Sequence, residues 1–137
     1  MVTLEQYVGP YAKSTDWTPE RQANAERFLA RCEALQAEAI ASGVVFRVSP
    51  KTGSCVGGEG NGGFRPQSCP IGAPGSSHKE GRALDWYDPY NEIDAWCIAN
   101  IDRLKAHGIC IEAPASTPKW SHWTDRTPPS GHTVFIP

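Results

Sequence analysis

Ser77-His78-Lys79-Glu80-Gly81-Arg82-Ala83-Leu84-Asp85 is the stretch on which the reading of this chain turns. An imidazole and a carboxylate stand seven positions apart in it, with Gly81 and the small Ala83 between them. Two ligands on one helix would share a face at three or four positions. This spacing instead asks for a loop running into a strand, with Gly81 turning the chain and Ala83 leaving room. A second imidazole stands far downstream, in Trp120-Ser121-His122-Trp123. Two nitrogens and one carboxylate oxygen leave the fourth position of a tetrahedral ion open to water, as catalytic zinc sites do and structural ones do not.

Working outward, Ala83-Leu84-Asp85-Trp86 reads as a short strand carrying the carboxylate. Upstream, Val44-Val45-Phe46-Arg47-Val48 is β-branched and aromatic and predicts another strand. Between them, residues 49–76 hold eight glycines, and a long irregular loop in a compact domain is usually functional. The Gly57–Gly63 run is not a phosphate-binding loop, because no Lys-Ser/Thr pair and no helix start follow it. Thr18-Pro19-Glu20 opens a helix with an N-cap, a first-turn proline and an acid at the positive dipole end. Phe28, Cys32, Leu35 and Ala39 form its apolar face, with Leu29, Gln36 and Ile40 alongside, and Gly43 stops it. Residues 1–17, with Tyr7, Tyr11 and Trp17, read as an irregular arm packed on the body.

Asn91 is the expected cap of a second helix, Glu92 to His107, with Ile93, Cys97, Ile101 and Leu104 inward and Gly108 as its end. Ile109–Glu112, Trp120–Thr124 and Thr133–Ile136 predict the remaining strands. The expectation is an α+β fold over residues 1–137, one domain with two main helices against a small, mostly antiparallel sheet.

A formal net charge of -2 offers no attraction for nucleic acid or an anionic membrane. No apolar run approaches the roughly 20 residues of a membrane span. The start, Met1-Val2-Thr3-Leu4-Glu5-Gln6, lacks a basic region followed by an apolar one, so a soluble chain made in the cytoplasm without a signal peptide is expected. The five cysteines form no CxxC pair, which argues against a zinc ribbon or a thioredoxin-like motif. Cys55 and Cys69 bracket the glycine-rich loop, and a bridge between them is open in an oxidising compartment.

Ser76-x-His78-x-x-Gly81-x-Ala83-x-Asp85, preceded by Gly63-Phe64-Arg65 and followed by Trp120-Ser121-His122, resembles a family of zinc peptidases. That family includes D-Ala-D-Ala dipeptidases and carboxypeptidases and phage L-alanyl-D-glutamate endopeptidases. The likeness covers roughly residues 44–137. The segment from Pro128-Pro129-Ser130-Gly131 to Phe135-Ile136-Pro137 is similar to the end of short phage-encoded members. The resemblance implies the LAS-type fold shared by hedgehog-like and D-Ala-D-Ala peptidases. It implies Zn2+ held by His78, Asp85 and His122, and hydrolysis of a peptidoglycan stem-peptide bond. Arg65 would hold a substrate carboxylate or the developing oxyanion, for which a planar bidentate donor suits better than lysine; a surface ion pair is its alternative. Ser77 and Trp120 would line the substrate, and Trp86 and Trp123 would wall the site, whereas Trp96 reads as packing.

Many members carry a glutamate three residues before the third ligand, where this chain has Lys119. Glu112 is then the candidate general base, against a structural ion pair, with Asp125 and His132 behind it. The resemblance implies action at the cell wall or periplasm, after phage-mediated release or as part of a virion. A non-catalytic module of a phage tail or baseplate, with tail proteins as partners, is the competing expectation, and Lys119 is its support.

Overall fold

Thr18 and Pro19 start the long helix as the sequence predicts. The Thr18 hydroxyl accepts from the Arg21 amide, Pro19 occupies the first turn, and α2 runs over Pro19–Ala41. The computed structural model describes residues 1–137. The inner face of α2 buries Ala25, Phe28, Cys32, Leu35 and Ala39, whereas Ile40 turns outward. The residues before it are not an irregular arm. Thr3 and Gln6 form a reciprocal capping box that opens α1, Leu4–Val8, and a 3-10 turn at Gly9–Tyr11 follows. Tyr7 from α1 is buried against Phe28 and Trp17, and its hydroxyl donates to the Ala83 carbonyl at 2.9 Å.

The fold is α+β. Its strands are β1 (Ala83–Tyr87), β2 (Cys110–Glu112), β3 (Trp120–Thr124) and β4 (Val134–Phe135), ordered β1-β3-β2-β4. β3 runs antiparallel to both β1 and β2, and β4 joins β2 in parallel, so the sheet is mixed. The closing strand is shorter than the expected Thr133–Ile136.

Val44–Val48 is not a strand. Val45 and Val48 are exposed, and Phe46 packs edge-on against Trp86 with ring centroids 4.9 Å apart. The free edge of β1, where that strand would add, is occupied by the glycine-rich loop. Tyr87 donates to the Cys55 carbonyl, Gly57 to that of Asp85, and Asp85 to that of Gly62, with Val56 bridging Trp86. Backbone this close excludes side chains: a Cβ on Gly62 would lie 2.3 Å from the Gly57 oxygen. All five cysteines are free thiols, Cys55 and Cys69 among them.

The second helix is two helices, α3 (Glu92–Ala99) and α4 (Ile101–His107). Asn100 breaks it at φ -132°, its side-chain amide donating to the Trp96 carbonyl at 2.8 Å, the local competition with helix bonds for which asparagine is prone. Asn91 occupies the N-cap position of α3, but its side chain makes no capping bond. It sits in the left-handed region at φ 54°, and Asp88 does the capping, its two carboxylate oxygens accepting from the Ile93 and Asp94 amides at 3.2 and 3.1 Å. The core lies between the sheet and the helices, where Phe28, Leu84, Trp86, Ile93, Ile111 and Trp123 meet.

Within that core Asp94 accepts from the hydroxyls of Ser121 at 2.5 Å and Thr117 at 3.2 Å, and Trp123 Nε1 donates to Ser121 at 3.0 Å. Burial pushes the Asp94 carboxyl up to about 6, Asp88 and Glu112 adding to the rise and the two hydroxyls opposing it. A folded value above the ordinary one means that this group's stabilisation is complete below about pH 4. It is lost as pH rises through about 6. Asp94→Asn keeps the shape and removes the titration. Chemical denaturation between pH 4 and 7 should show the wild type losing up to about 3 kcal/mol relative to the variant. Parallel curves would exclude Asp94 as the titrating group.

Candidate metal centre

The pleat of β1 and β3 sorts their residues to two sides. Leu84 and Trp86 on β1 and Ser121 and Trp123 on β3 point into the core, so Asp85 and the alternate residues Trp120, His122 and Thr124 take the other face. Asp85 and His122 are paired residues across the two strands. Continuing the β3–β2 register, in which Ile111 pairs with Trp123, sets Glu112 opposite His122, and Glu112 in turn pairs with Phe135 on β4. Asp85, His122, Glu112 and Phe135 thus form one row across the sheet. It faces a cavity of about 820 Å³.

His78 comes to this row from a different element. The Ser76 hydroxyl accepts from the His78 amide and opens a 3-10 turn, Ser77–Glu80, which Gly81 ends at φ 73°. No side chain fits at Gly81, where a Cβ would lie 2.6 Å from the Arg21 carbonyl oxygen at the start of α2. The chain then enters β1, as the seven-residue spacing of the two ligands requires.

His78 is 3% exposed, and its Nδ1 lies 2.8 Å from the Gly63 carbonyl oxygen. A carbonyl only accepts, so Nδ1 carries the proton and Nε2 holds a lone pair. That Nε2 is 3.3 Å from both His122 Nδ1 and Asp85 Oδ1, and His122 Nδ1 is 2.8 Å from Asp85 Oδ1. A four-coordinate ion with ligand bonds near 2.0–2.1 Å sets its ligand atoms about 3.3 Å apart. Two imidazoles and one carboxylate with this spacing fit a first-row divalent cation. Burial lowers the His78 pKa, Asp85 opposing, which keeps the ring in its ligand form. Burial would raise the Asp85 carboxyl, but its interactions with His78 and His122 outweigh it and hold the group well below the usual carboxylate range. His122 Nδ1 lies against Asp85 Oδ1, so the ring acts as a ligand through Nδ1 when its proton is on Nε2.

Arg65 is buried in the wall rather than free on the surface. Its Nη2 donates to Asp85 Oδ2 at 3.1 Å and its Nε to the Asn61 carbonyl at 2.6 Å. It thereby orients the carboxylate whose other oxygen faces the two imidazoles. Glu112 lines the cavity with Oε2 3.9 Å from His122 Nδ1, and burial raises its carboxyl. Ser77 and Trp120 line it too.

Other expected residues lie elsewhere. Trp86 and Trp123 are core residues, each one position along a strand from a ligand and so on the opposite face. Lys119 is exposed in the turn before β3 at φ 73°, its amide donating to the Asn91 side chain, and does not line the cavity. Asp125 pairs with Arg82 at 2.7 Å, and His132 is exposed; neither lines the cavity.

Two supports escaped sequence reasoning. Gly63 was visible only as part of the Gly-Phe-Arg segment, yet its carbonyl fixes the His78 tautomer. Lys79, next to a ligand, buries its ammonium among the carbonyls of Gln67, Cys69 and Gly72 at 3.2, 3.0 and 3.5 Å, which pins the loop forming one cavity wall. No local sequence signal marks a lysine as buried.

A Cβ on Gly63 would stand 2.0 Å from the Tyr7 carbonyl oxygen, so this backbone cannot stay beneath His78 with any other residue. Gly63→Ala should weaken metal binding about 10- to 100-fold in a chelator competition titration. Gly75→Ala, where the Cβ meets nothing within 4 Å, should leave it unchanged. Equal affinities for the two variants would remove Gly63 from the site's support. Compared with protein families, curated proteins and solved structures, the chain matches none of them.

Proposed function

We propose that this protein is a zinc-dependent peptidase of the LAS type that hydrolyses a stem-peptide bond of peptidoglycan. One observation carries the reading: His78, Asp85 and His122 converge at near-tetrahedral spacing in a cavity that also holds the carboxylate of Glu112. The resemblance of the Ser76–Asp85, Gly63–Arg65 and Trp120–His122 segments to the D-Ala-D-Ala and L-Ala-D-Glu peptidases supplies the substrate class.

The donor set suits zinc with an open coordination position, and a zinc ion held there supplies Lewis acidity toward water and a scissile carbonyl. The chain's own residues do the rest. Arg65 holds Asp85 in its ligand orientation. Glu112 Oε2 accepts the proton of the attacking water and returns it to the departing amine as the carbon–nitrogen bond breaks. A half-buried carboxyl raised from its ordinary range is suited to both transfers. Trp120 and Phe135 exclude water from one side of the cavity. The competing tail-module reading drew on Lys119, which stands outside the cavity while Glu112 stands within it. Such a peptidase would act at the cell wall, after release by phage lysis or as part of a virion. No helix is long and apolar enough to cross a membrane.

Mass spectrometry of fragments from purified peptidoglycan, with zinc and with chelator, tests the activity. Chelator-sensitive new peptide ends are expected, and their masses name the bond; zinc-loaded protein that releases nothing would end the peptidase reading. His78→Ala and His122→Ala should each lose stoichiometric zinc by elemental analysis, and one retained ion per chain would refute the ligand set. Glu112→Gln should keep zinc and lower turnover by 100-fold or more. Wild-type turnover in that variant would place the base elsewhere.

A further inference from the structure

We propose that Arg126 recognises a free carboxylate on the substrate, so that the preferred substrate is a peptide with an acid group close to the scissile bond. This rests on the peptidase reading above and adds to it the residue that selects the peptide.

Charge within the cavity is unevenly spent. Its arginines are Arg65 and Arg126, and its carboxylates are Asp85 and Glu112. Arg65 is ion-paired with Asp85 and also donates to the Asn61 carbonyl, so its charge is already matched within the protein. Arg126 has no carboxylate within ion-pair distance, and its side chain makes a single hydrogen bond, from Nη1 to the Gly75 carbonyl at 2.7 Å. A guanidinium carries five donors in a planar fork, and the others here have no partner in the protein. Carboxylates match that fork in a bidentate manner.

The residue is also held in place. Its amide donates to the Thr124 hydroxyl at 3.1 Å, and that hydroxyl donates to the Arg82 carbonyl at 2.7 Å. This fixes the base of Arg126 at the end of β3, four positions after His122, while the Gly75 bond carries its head to the opposite wall. Ile71, Pro128, Pro129 and Ile136 line the same cavity. A half-buried cation of defined position and unfilled donors, beside a hydrolytic centre, is a receptor for an anion. A mere latch between two loops would need only the Gly75 bond.

The pentapeptide L-Ala-γ-D-Glu-L-Lys-D-Ala-D-Ala carries a free carboxylate on its glutamate and another at its C-terminus. It and its two single amides would be given to the zinc-loaded full chain, wild type, Arg126→Gln and Arg126→Lys, with KM and kcat measured. Calorimetric binding to the chelator-treated chain gives a readout independent of turnover. In the wild type, amidating one of the two carboxylates should raise KM and weaken binding about tenfold to a hundredfold, with kcat changed much less. Whichever amide does so names the carboxylate that is read. Arg126→Gln should lose the same factor on the acid and no longer distinguish acid from amide, and Arg126→Lys should restore part of it. Acid and amides bound alike by the wild type, or all three weakened equally in Arg126→Gln, would overturn the proposal. Preference for the acid without any cleavage would uphold carboxylate recognition and sink the peptidase reading. Cleavage of acid and amides alike would do the reverse, and no binding of any form would end both.

Discussion

Asp85 and His122 face each other across antiparallel strands, and the pleat that sends Leu84 and Trp123 into the core sends these two donors into the cavity. Packing and chemistry therefore share one constraint. A one-residue slip between β1 and β3 would bury the ligands and expose the tryptophans. Trp86 and Trp123, stacked edge to face at 5.2 Å, resist such a slip, and the Asp94–Ser121–Trp123 hydrogen bonds tie β3 to α3 from beneath. The candidate ligand pair is thus positioned by the core packing on the other face of the same strands.

Burying Asp85 would be costly if it stood alone, since an unpaired carboxylate in the interior loses several kcal/mol of hydration. Its surroundings remove that penalty by dividing the two oxygens. Oδ2 takes the Arg65 guanidinium, and Oδ1 faces both imidazoles. His78 is set by a backbone carbonyl and Arg65 by another, so two of the three groups touching the carboxylate are themselves anchored to main chain. The segments meet there as well, because the Arg65 amide donates to the His78 carbonyl. Preorganisation of this kind keeps ligand atoms at metal-binding spacing through backbone hydrogen bonds.

The two loops beside the row have a different character. Residues 66–76 and 125–131 carry no regular structure beyond turns. Their order comes from isolated contacts, chiefly the buried Lys79 ammonium on three carbonyls and the Arg126–Gly75 bond. Sheet for the candidate ligands and lightly tied loops for the walls is an arrangement in which the cavity lining can vary without disturbing the triad.

Much of this was legible in one dimension. Thr18-Pro19 and the Phe28, Cys32, Leu35, Ala39 spacing determine α2, because capping and helical period are local properties. The His78–Asp85 spacing, with Gly81 between, determined a turn entering a strand, and the structure has that turn and that strand. Strand alternation even contained the facing of Trp86 and Trp123, one position from each ligand and hence on the opposite side. What needed the tertiary structure was competition for partners. Val44–Val48 has every local mark of a strand, but the glycine-rich loop holds the only free edge of β1. Asn91 looks like a helix cap, but Asp88 reaches the same amides. Glu112 enters the site through a sheet register, and Lys119 leaves it through a turn, neither of which spacing along the chain records. Local propensity is settled within a few residues, whereas edges, caps and register are decided by which distant segment satisfies the same hydrogen-bonding groups in the folded chain.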